Sequence, residues 1–120
     1  MTIQEASKRF HIKLDTLQLY LENGLLTGVK MADGTLDYKE DELQRIVQYH
    51  FLLKSGMDME TLKRLAHLME SKMDTTAEQV KLLRKCRYQL LEEIHGKQQD
   101  LDQLDYMIHE IRQKPTKKEA

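Results

Sequence analysis

The amino-acid sequence predicts a mainly α fold, in which short helices and one small β-hairpin precede a long C-terminal helix. Two observations support this class. Residues 1–74 contain short amphipathic segments separated by turns, several of which contain glycine, whereas residues 80–111 carry apolar side chains at alternating intervals of three and four. We therefore expect one small domain at 1–74, a coiled-coil helix at 75–113 and a flexible tail at 114–120.

The first two predicted helices lie close together near the N-terminus. Thr2 and Glu5 have the spacing of a capping box, which predicts a helix over about 3–9. A second helix follows a short connection and stops at Asn23-Gly24, a pair that favours a left-handed turn. Two short helices joined by about four residues form a helix-turn-helix unit. The apolar residues that recur at helical spacing in the second helix are Leu14, Leu17, Tyr20 and Leu21.

A small β-hairpin, or wing, is predicted over 29–38. Its tip is Asp33-Gly34, a dipeptide that favours a tight turn between two strands. The acidic run 40–42 suits the positive end of a helix dipole and predicts a third helix over about 39–55. We expect the inner face of this helix to contain Leu43, Ile46, Val47, His50, Phe51 and Leu53.

A fourth helix is predicted after Gly56, which ends the third, because Asp58 can cap its N-terminus. The third and fourth helices form a pair that completes the core of the N-terminal domain. The apolar face of the fourth helix consists of Met59, Leu62, Leu65, Ala66 and Leu68.

The C-terminal part has the heptad pattern of a coiled coil. Its seam spans about 48 Å for 32 residues at roughly 1.5 Å per residue. A helix cannot bury such a seam alone, so we expect a partner helix from a second copy of the chain. Arg87 and Lys97 interrupt the apolar seam and would specify register at some loss of stability. The predicted dimer interface is Val80, Leu83, Arg87, Leu90, Ile94, Lys97, Leu101, Leu104, Ile108 and Ile111.

Composition argues against several classes of protein. Residues 1–74 contain 10 basic and 12 acidic residues, so the N-terminal part lacks the basic excess of a strong phosphate binder. No phosphate loop, nucleophile elbow or metal-ligand spacing is present, so we expect neither an enzyme nor a cofactor. No apolar run approaches the roughly 20 residues that span a membrane, and we expect a cytoplasmic protein.

The single cysteine, Cys86, excludes a disulfide within one chain and suits a reducing compartment. We interpret it as a passive helical residue. A redox-sensing or metal-sensing role is the alternative, but a metal site of this kind needs further cysteines.

Three motifs follow one another along residues 16–65. TLQLYLENGLL stands at 16–26, GTLDYKEDEL at 34–43 and LLKSGMDMETLKRL at 52–65. They resemble, in order and spacing, the patterns TLRYYE..GLL, GYR.Y...DL and L..LGFSL.EI..L of the MerR family of bacterial transcription regulators. The resemblance implies a homodimer joined by antiparallel pairing of the long helices. It places the second helix in the major groove of double-stranded DNA and the wing on the flanking backbone, with RNA polymerase as a further partner at the promoter.

The sequence departs from the family pattern at the expected DNA contacts. Gln18 and Leu19 stand where the family commonly has Arg followed by Tyr, and Thr35 and Leu36 stand where the wing commonly has an aromatic residue and Arg. An uncharged side chain cannot replace the ion pair of an arginine with a phosphate, although Gln18 can still bond to adenine. The DNA-contact residues carried over from the resemblance are Lys13, Thr16, Gln18, Leu19, Tyr20, Lys30, Leu36 and Tyr38.

Two functions fit these observations. The first is a MerR-like transcription regulator that binds promoter DNA as a homodimer, weakly or with altered specificity. Loss of two arginine contacts per protomer would reduce the salt slope of binding by roughly 3 to 4. The alternative is a MerR-like protein-interaction module that has lost DNA binding and acts through its coiled coil.

Overall fold

The chain forms five α-helices and a two-stranded sheet over residues 1–114, the part that the computed structural model describes. The fold is therefore mainly α, as predicted. All of the predicted tail except Lys114 lies outside the described residues. The elements in chain order are α1 (Ile3–Phe10), α2 (Leu14–Glu22), β1 (Val29–Lys30), β2 (Leu36–Asp37), α3 (Glu40–Lys54), α4 (Met59–Glu70) and α5 (Thr76–Gln113).

The chain divides into two compact units, Met1–Cys86 and Arg87–Ala120. The first unit contains α1 to α4, the hairpin and the first turns of α5, and the described part of the second unit is the remainder of α5. The sequence instead predicts a boundary between residues 74 and 75, just before α5 begins. That boundary stays a prediction. None of the described helices combines the length and apolar character that crossing a membrane requires.

Helix α1 begins with the predicted capping box. The Thr2 hydroxyl accepts a hydrogen bond from the Glu5 backbone N–H at 3.1 Å, and the Glu5 carboxylate accepts one from the Thr2 N–H at 3.4 Å. The helix ends at His11, which adopts a left-handed conformation with φ 55°. The Ser7 hydroxyl donates to the Ile12 carbonyl at 2.6 Å and holds the short connection to α2.

The core of the first unit is formed by the inner faces of α1 to α4, the segments between them and the first turns of α5. Leu17 and Tyr20 of α2 pack there, each 1% exposed. The buried residues follow the three-and-four spacing of amphipathic helices. They are Ala6, Ile12, Leu17, Tyr20, Leu25, Leu26, Tyr38, Leu43, Ile46, Tyr49, Met57, Leu62, Leu65, Ala66 and Cys86.

The inner face of α3 differs from the predicted one. The expectation that Val47 and Phe51 face the core is wrong, because their side chains are 42% and 63% exposed. Tyr49 is buried instead, together with Leu43 and Ile46. Each residue turns the helix by about 100°, so a stripe built on positions i, i+3 and i+6 leaves i+4 and i+8 at the surface.

The wing forms as predicted, although its strands contain only two residues each. At the tip Gly34 adopts φ 87°. The Asp33 carboxylate accepts hydrogen bonds from the Thr35 backbone N–H at 3.0 Å and from its hydroxyl at 2.6 Å. The strands are antiparallel, with Val29 opposite Asp37 and Lys30 opposite Leu36.

Helix α4 begins at the predicted cap. The Asp58 carboxylate accepts a hydrogen bond from the Thr61 backbone N–H at 2.7 Å. This bond holds the pKa of Asp58 below its usual value, because it favours the ionised carboxylate. Leu62, Leu65 and Ala66 face the core, as the sequence predicts.

Candidate nucleic-acid interface

The outward face of α2 consists of four exposed side chains, namely Asp15, Gln18, Leu19 and Glu22. At 3.6 residues per turn these positions occupy one arc of about 100° around the helix. The opposite side of α2 is the buried one. The outward face therefore carries two carboxylates, one amide and one apolar side chain, and it has no lysine or arginine.

Helix α2 is tied to α3 by a polar contact at the edge of the core. The Tyr20 hydroxyl lies 2.7 Å from Nδ1 of His50, and the two rings meet edge to face. Burial raises the pKa of Tyr20, and burial together with the charge of Lys54 lowers the pKa of His50. The contact orients α2 relative to the helix that supports it.

The connection from α2 to the wing is held by Glu42 of α3. Its carboxylate accepts hydrogen bonds from the Thr27 hydroxyl at 3.0 Å and the Gly28 N–H at 3.1 Å, and it also accepts one from the Thr27 N–H. Gly28 has φ 75° and lies against the ring of Tyr38. The position of the wing therefore depends on α3 as well as on the hairpin turn.

Some cationic side chains of the first unit are held in ion pairs, and others are free to contact a phosphate. Both terminal nitrogens of Arg9 pair with the carboxylate of Glu40 at 2.7 Å, and the guanidinium lies 4.9 Å from the centre of the Phe10 ring. The pair lowers the pKa of Glu40 and raises that of Arg9. Lys13 and Lys30 are exposed, and neither belongs to an ion pair within residues 1–114.

The eight residues predicted to contact DNA fall into three groups by exposure. Thr16 and Leu36 are partly buried, whereas Tyr20 and Tyr38 are only 1% and 3% exposed. The tyrosine rings belong to the core, so we leave both out of the contact set proposed below. The role in DNA contact stays a prediction for Lys13, Gln18, Leu19 and Lys30, which are exposed, and for the partly buried Thr16 and Leu36.

Some residues that shape this surface were not identified from the sequence. Val29 and Met31 are 46% and 48% exposed on either side of Lys30, and a two-residue strand is too short to show alternation. Glu42 contacts residues 14 and 15 positions earlier in the chain, and no local pattern predicts such a contact.

The predicted dimer seam is open in the single chain. In the first unit Val80 and Leu83 are 37% and 41% exposed. In the second unit Leu90 is partly buried, Arg87 and Lys97 are exposed, and the remaining apolar residues of the seam are 50% to 66% exposed. Those remaining residues are Ile94, Leu101, Leu104, Ile108 and Ile111.

Cys86 is a free thiol buried in the core of the first unit, where it is 6% exposed. The interpretation of Cys86 as a passive helical residue stays a prediction. Over residues 1–114, no three or more His, Cys, Asp or Glu side chains are grouped so that they could hold a metal ion.

Comparisons with known proteins identify relatives of this fold. A MerR family transcriptional regulator from Listeria monocytogenes is 25% identical, and the alignment covers 94% of this chain and 86% of that one with a TM-score of 0.82. HiNmlR, described as a MerR family regulator lacking the sensor domain and bound to promoter DNA, is 24% identical over 91% of this chain and 83% of that one, with a TM-score of 0.77. A MerR family regulator from Bacillus thuringiensis is 19% identical over 92% and 97%, with a TM-score of 0.75.

The family itself is identified by sequence. A comparison with curated proteins found no significant match. The profile of the MerR HTH family of regulatory proteins, however, matches residues 1–69, which is more than half of the 120-residue chain. This match confirms the resemblance seen in the three motifs. The chain belongs to the MerR family of helix-turn-helix transcription regulators.

Proposed function

We propose that this MerR-family regulator binds double-stranded promoter DNA as a homodimer, with the outward face of α2 in the major groove and the wing beside the flanking backbone. The exposed face of α2 carries the proposal, because a helix-turn-helix presents its second helix to base edges in this way. HiNmlR, which has the same fold, was solved with promoter DNA bound. We place this function in the bacterial cytoplasm, with RNA polymerase as the enzyme whose use of the promoter changes.

Phosphate contacts fall to Lys13 and Lys30 in this proposal. Lys13 stands at the N-terminus of α2 and Lys30 on the wing, both exposed. The first turn of α2 has no side-chain cap, so its backbone N–H groups are available to a phosphate as well. Asp15 in the first turn of α2 and Glu22 at its end would repel a phosphate, so both carboxylates weaken binding to the DNA backbone.

The expected salt dependence is modest. Two lysines per protomer neutralise about four phosphates in a dimer, and each contributes about −0.9 to the slope of log K against log salt. We therefore expect a slope of roughly −4.

Dimerisation is proposed through the seam of α5. The midpoint of the seam lies between residues 95 and 96, and antiparallel pairing about it places Leu90 opposite the partner's Leu101. Lys97 then lies near the twofold axis, close to Glu93 and to the partner's Asp100. The ammonium group would offset the repulsion between these two carboxylates, which explains a lysine in an apolar seam.

Binding to the promoter upstream of its own gene tests the proposal. We expect specific binding with the slope given above, measured by fluorescence anisotropy between about 50 and 200 mM salt. Lys13→Ala and Lys30→Ala should each reduce the magnitude of the slope by about 2, because each change removes two contacts from a dimer. Lys72→Ala, an exposed lysine outside the proposed surface, is the matched control.

Two results would contradict the proposal. Binding no tighter than to a random duplex at about 50 mM salt, where phosphate contacts are strong, would favour the interaction-module alternative. A monomer at micromolar concentration in analytical ultracentrifugation would exclude the homodimer. Leu90→Asp combined with Leu104→Asp should convert a true dimer into monomers, because it places charges in the seam.

A further inference from the structure

We infer that Gln18 and Leu19 make this regulator select A·T base pairs at the positions that α2 reads in each half-site. The inference rests on the DNA binding proposed above and adds the class of sequence that is bound. Guanine is read most often by arginine or lysine, which donate to its O6 and N7 atoms. The outward face of α2 contains neither residue.

Gln18 is exposed on this face and free to contact a base. The side-chain hydrogen bonds at α2 within residues 1–114 come from Tyr20 and from the C-terminal cap Asn23, not from Gln18. Its amide offers one donor and one acceptor side by side. Adenine presents the complementary pair in the major groove, N7 as acceptor and the N6 amino group as donor.

Leu19 is the apolar member of the face and is 46% exposed. An apolar side chain beside base edges gains most where it meets another apolar group. The C5-methyl group of thymine is the apolar group of the major-groove edge. Gln18 and Leu19 lie at the two edges of the outward arc, about 100° apart, so each side chain addresses its own base pair within the half-site.

The two carboxylates on the outward face of α2 also favour A·T pairs over guanine. Guanine presents only acceptors, N7 and O6, to the major groove. Asp15 and Glu22 are acceptors when ionised, so they disfavour a guanine within reach. They tolerate the amino groups of adenine and cytosine.

Base analogues test each contact separately. In a duplex containing the mapped site, deoxyuridine in place of single thymines deletes the methyl group, and 7-deazaadenine deletes the N7 acceptor. We expect one thymine per half-site at which deoxyuridine weakens wild-type binding. The loss should be about three- to fivefold, which corresponds to the free energy of burying one methyl group. Removing N7 from the adenine that Gln18 contacts should weaken binding by about fivefold or more.

The variants connect each loss to one side chain. Leu19→Ala should remove the difference between thymine and deoxyuridine while leaving the salt slope unchanged, and Gln18→Ala should remove the effect of 7-deazaadenine. Val47→Ala, which shortens an apolar side chain of similar exposure on α3, should keep both differences.

The outcomes separate the inference from the proposed function. Unweakened specific binding to a duplex in which G·C pairs replace the A·T pairs at the analogue-sensitive positions, or a mapped site at which neither analogue weakens binding, would overturn the inference and leave DNA binding intact. The same result follows if deoxyuridine weakens wild type and Leu19→Ala equally. Absence of binding to any duplex would overturn both.

Discussion

Two glycines with almost the same backbone angle have different surroundings. Gly24 has φ 76° and Gly28 has φ 75°, a region in which a side chain is strained. A Cβ atom on Gly24 would meet no heavy atom within 4 Å, whereas one on Gly28 would lie 2.7 Å from Cε1 of Tyr38. Tyr38 is buried, so its ring cannot swing away into solvent.

Alanine at these two positions should therefore have unequal effects. Gly24→Ala should lower the free energy of unfolding by about 1 kcal/mol, the cost of the left-handed backbone alone. Gly28→Ala should lower it by about 2 to 4 kcal/mol, because overpacking adds to that cost. Urea denaturation compares the two variants, and equal losses would contradict the contact with Tyr38.

At the scale of elements, the surface of α2 depends on the helices beneath it. Tyr20 connects α2 to α3 through His50, and Glu42 connects α3 to the segment before the wing. A helix of nine residues is marginal by itself in water, so its orientation comes from these contacts and from the burial of Leu17.

The partial burial of His50, together with the nearby charge of Lys54, predicts a dependence of stability on pH. Because the pKa of His50 lies below its ordinary value of 6.5, the unfolded chain binds this proton more readily than the native chain. This contribution to stability is complete above 6.5 and decreases as the pH falls through 6.5 toward the native pKa. His50→Gln should flatten the fall in unfolding free energy between about pH 7.5 and 5.5.

The control for this experiment is His109→Gln, which removes an exposed histidine of α5. Urea denaturation at several pH values gives the slope for each protein. Equal slopes for wild type and His50→Gln would show that burial does not disfavour the charged imidazole.

At the scale of the whole molecule, the two units differ in whether they can bury their apolar side chains within one chain. The first unit has its own core, whereas the described residues of the second unit are a single helix whose apolar seam is exposed. A helix of this kind is stable when a partner covers the seam. The homodimer proposed above would satisfy this requirement and would present two copies of α2 to DNA.

Disulfide cross-linking tests the orientation and register of that dimer. In a Cys86→Ala background, Leu90→Cys combined with Leu101→Cys should give a covalent dimer under mild oxidation, because antiparallel pairing places these two positions opposite each other. Each single cysteine should give little cross-linking. Efficient cross-linking of either single variant would indicate parallel helices, and cross-linking of Leu90→Cys with Ile94→Cys would indicate a register shifted by one heptad.

Local signals in the sequence determined most of the fold. The capping box at Thr2 and Glu5, the stop at Gly24, the Asp33-Gly34 turn and the heptads of α5 each act within a few residues, so each can be identified without knowing the rest of the chain. The three motifs identified the family for the same reason, since their order and spacing lie in the sequence itself.

Only the tertiary structure decided which faces are covered and which polar groups meet. Tyr49 rather than Phe51 enters the core because packing against the neighbouring elements selects one stripe of α3. Hydrogen bonds join Arg9 to Glu40 and Tyr20 to His50, and the members of each pair are about 30 positions apart in the sequence. Contacts of this kind depend on how complete elements pack against one another, and local spacing in the sequence does not predict that packing.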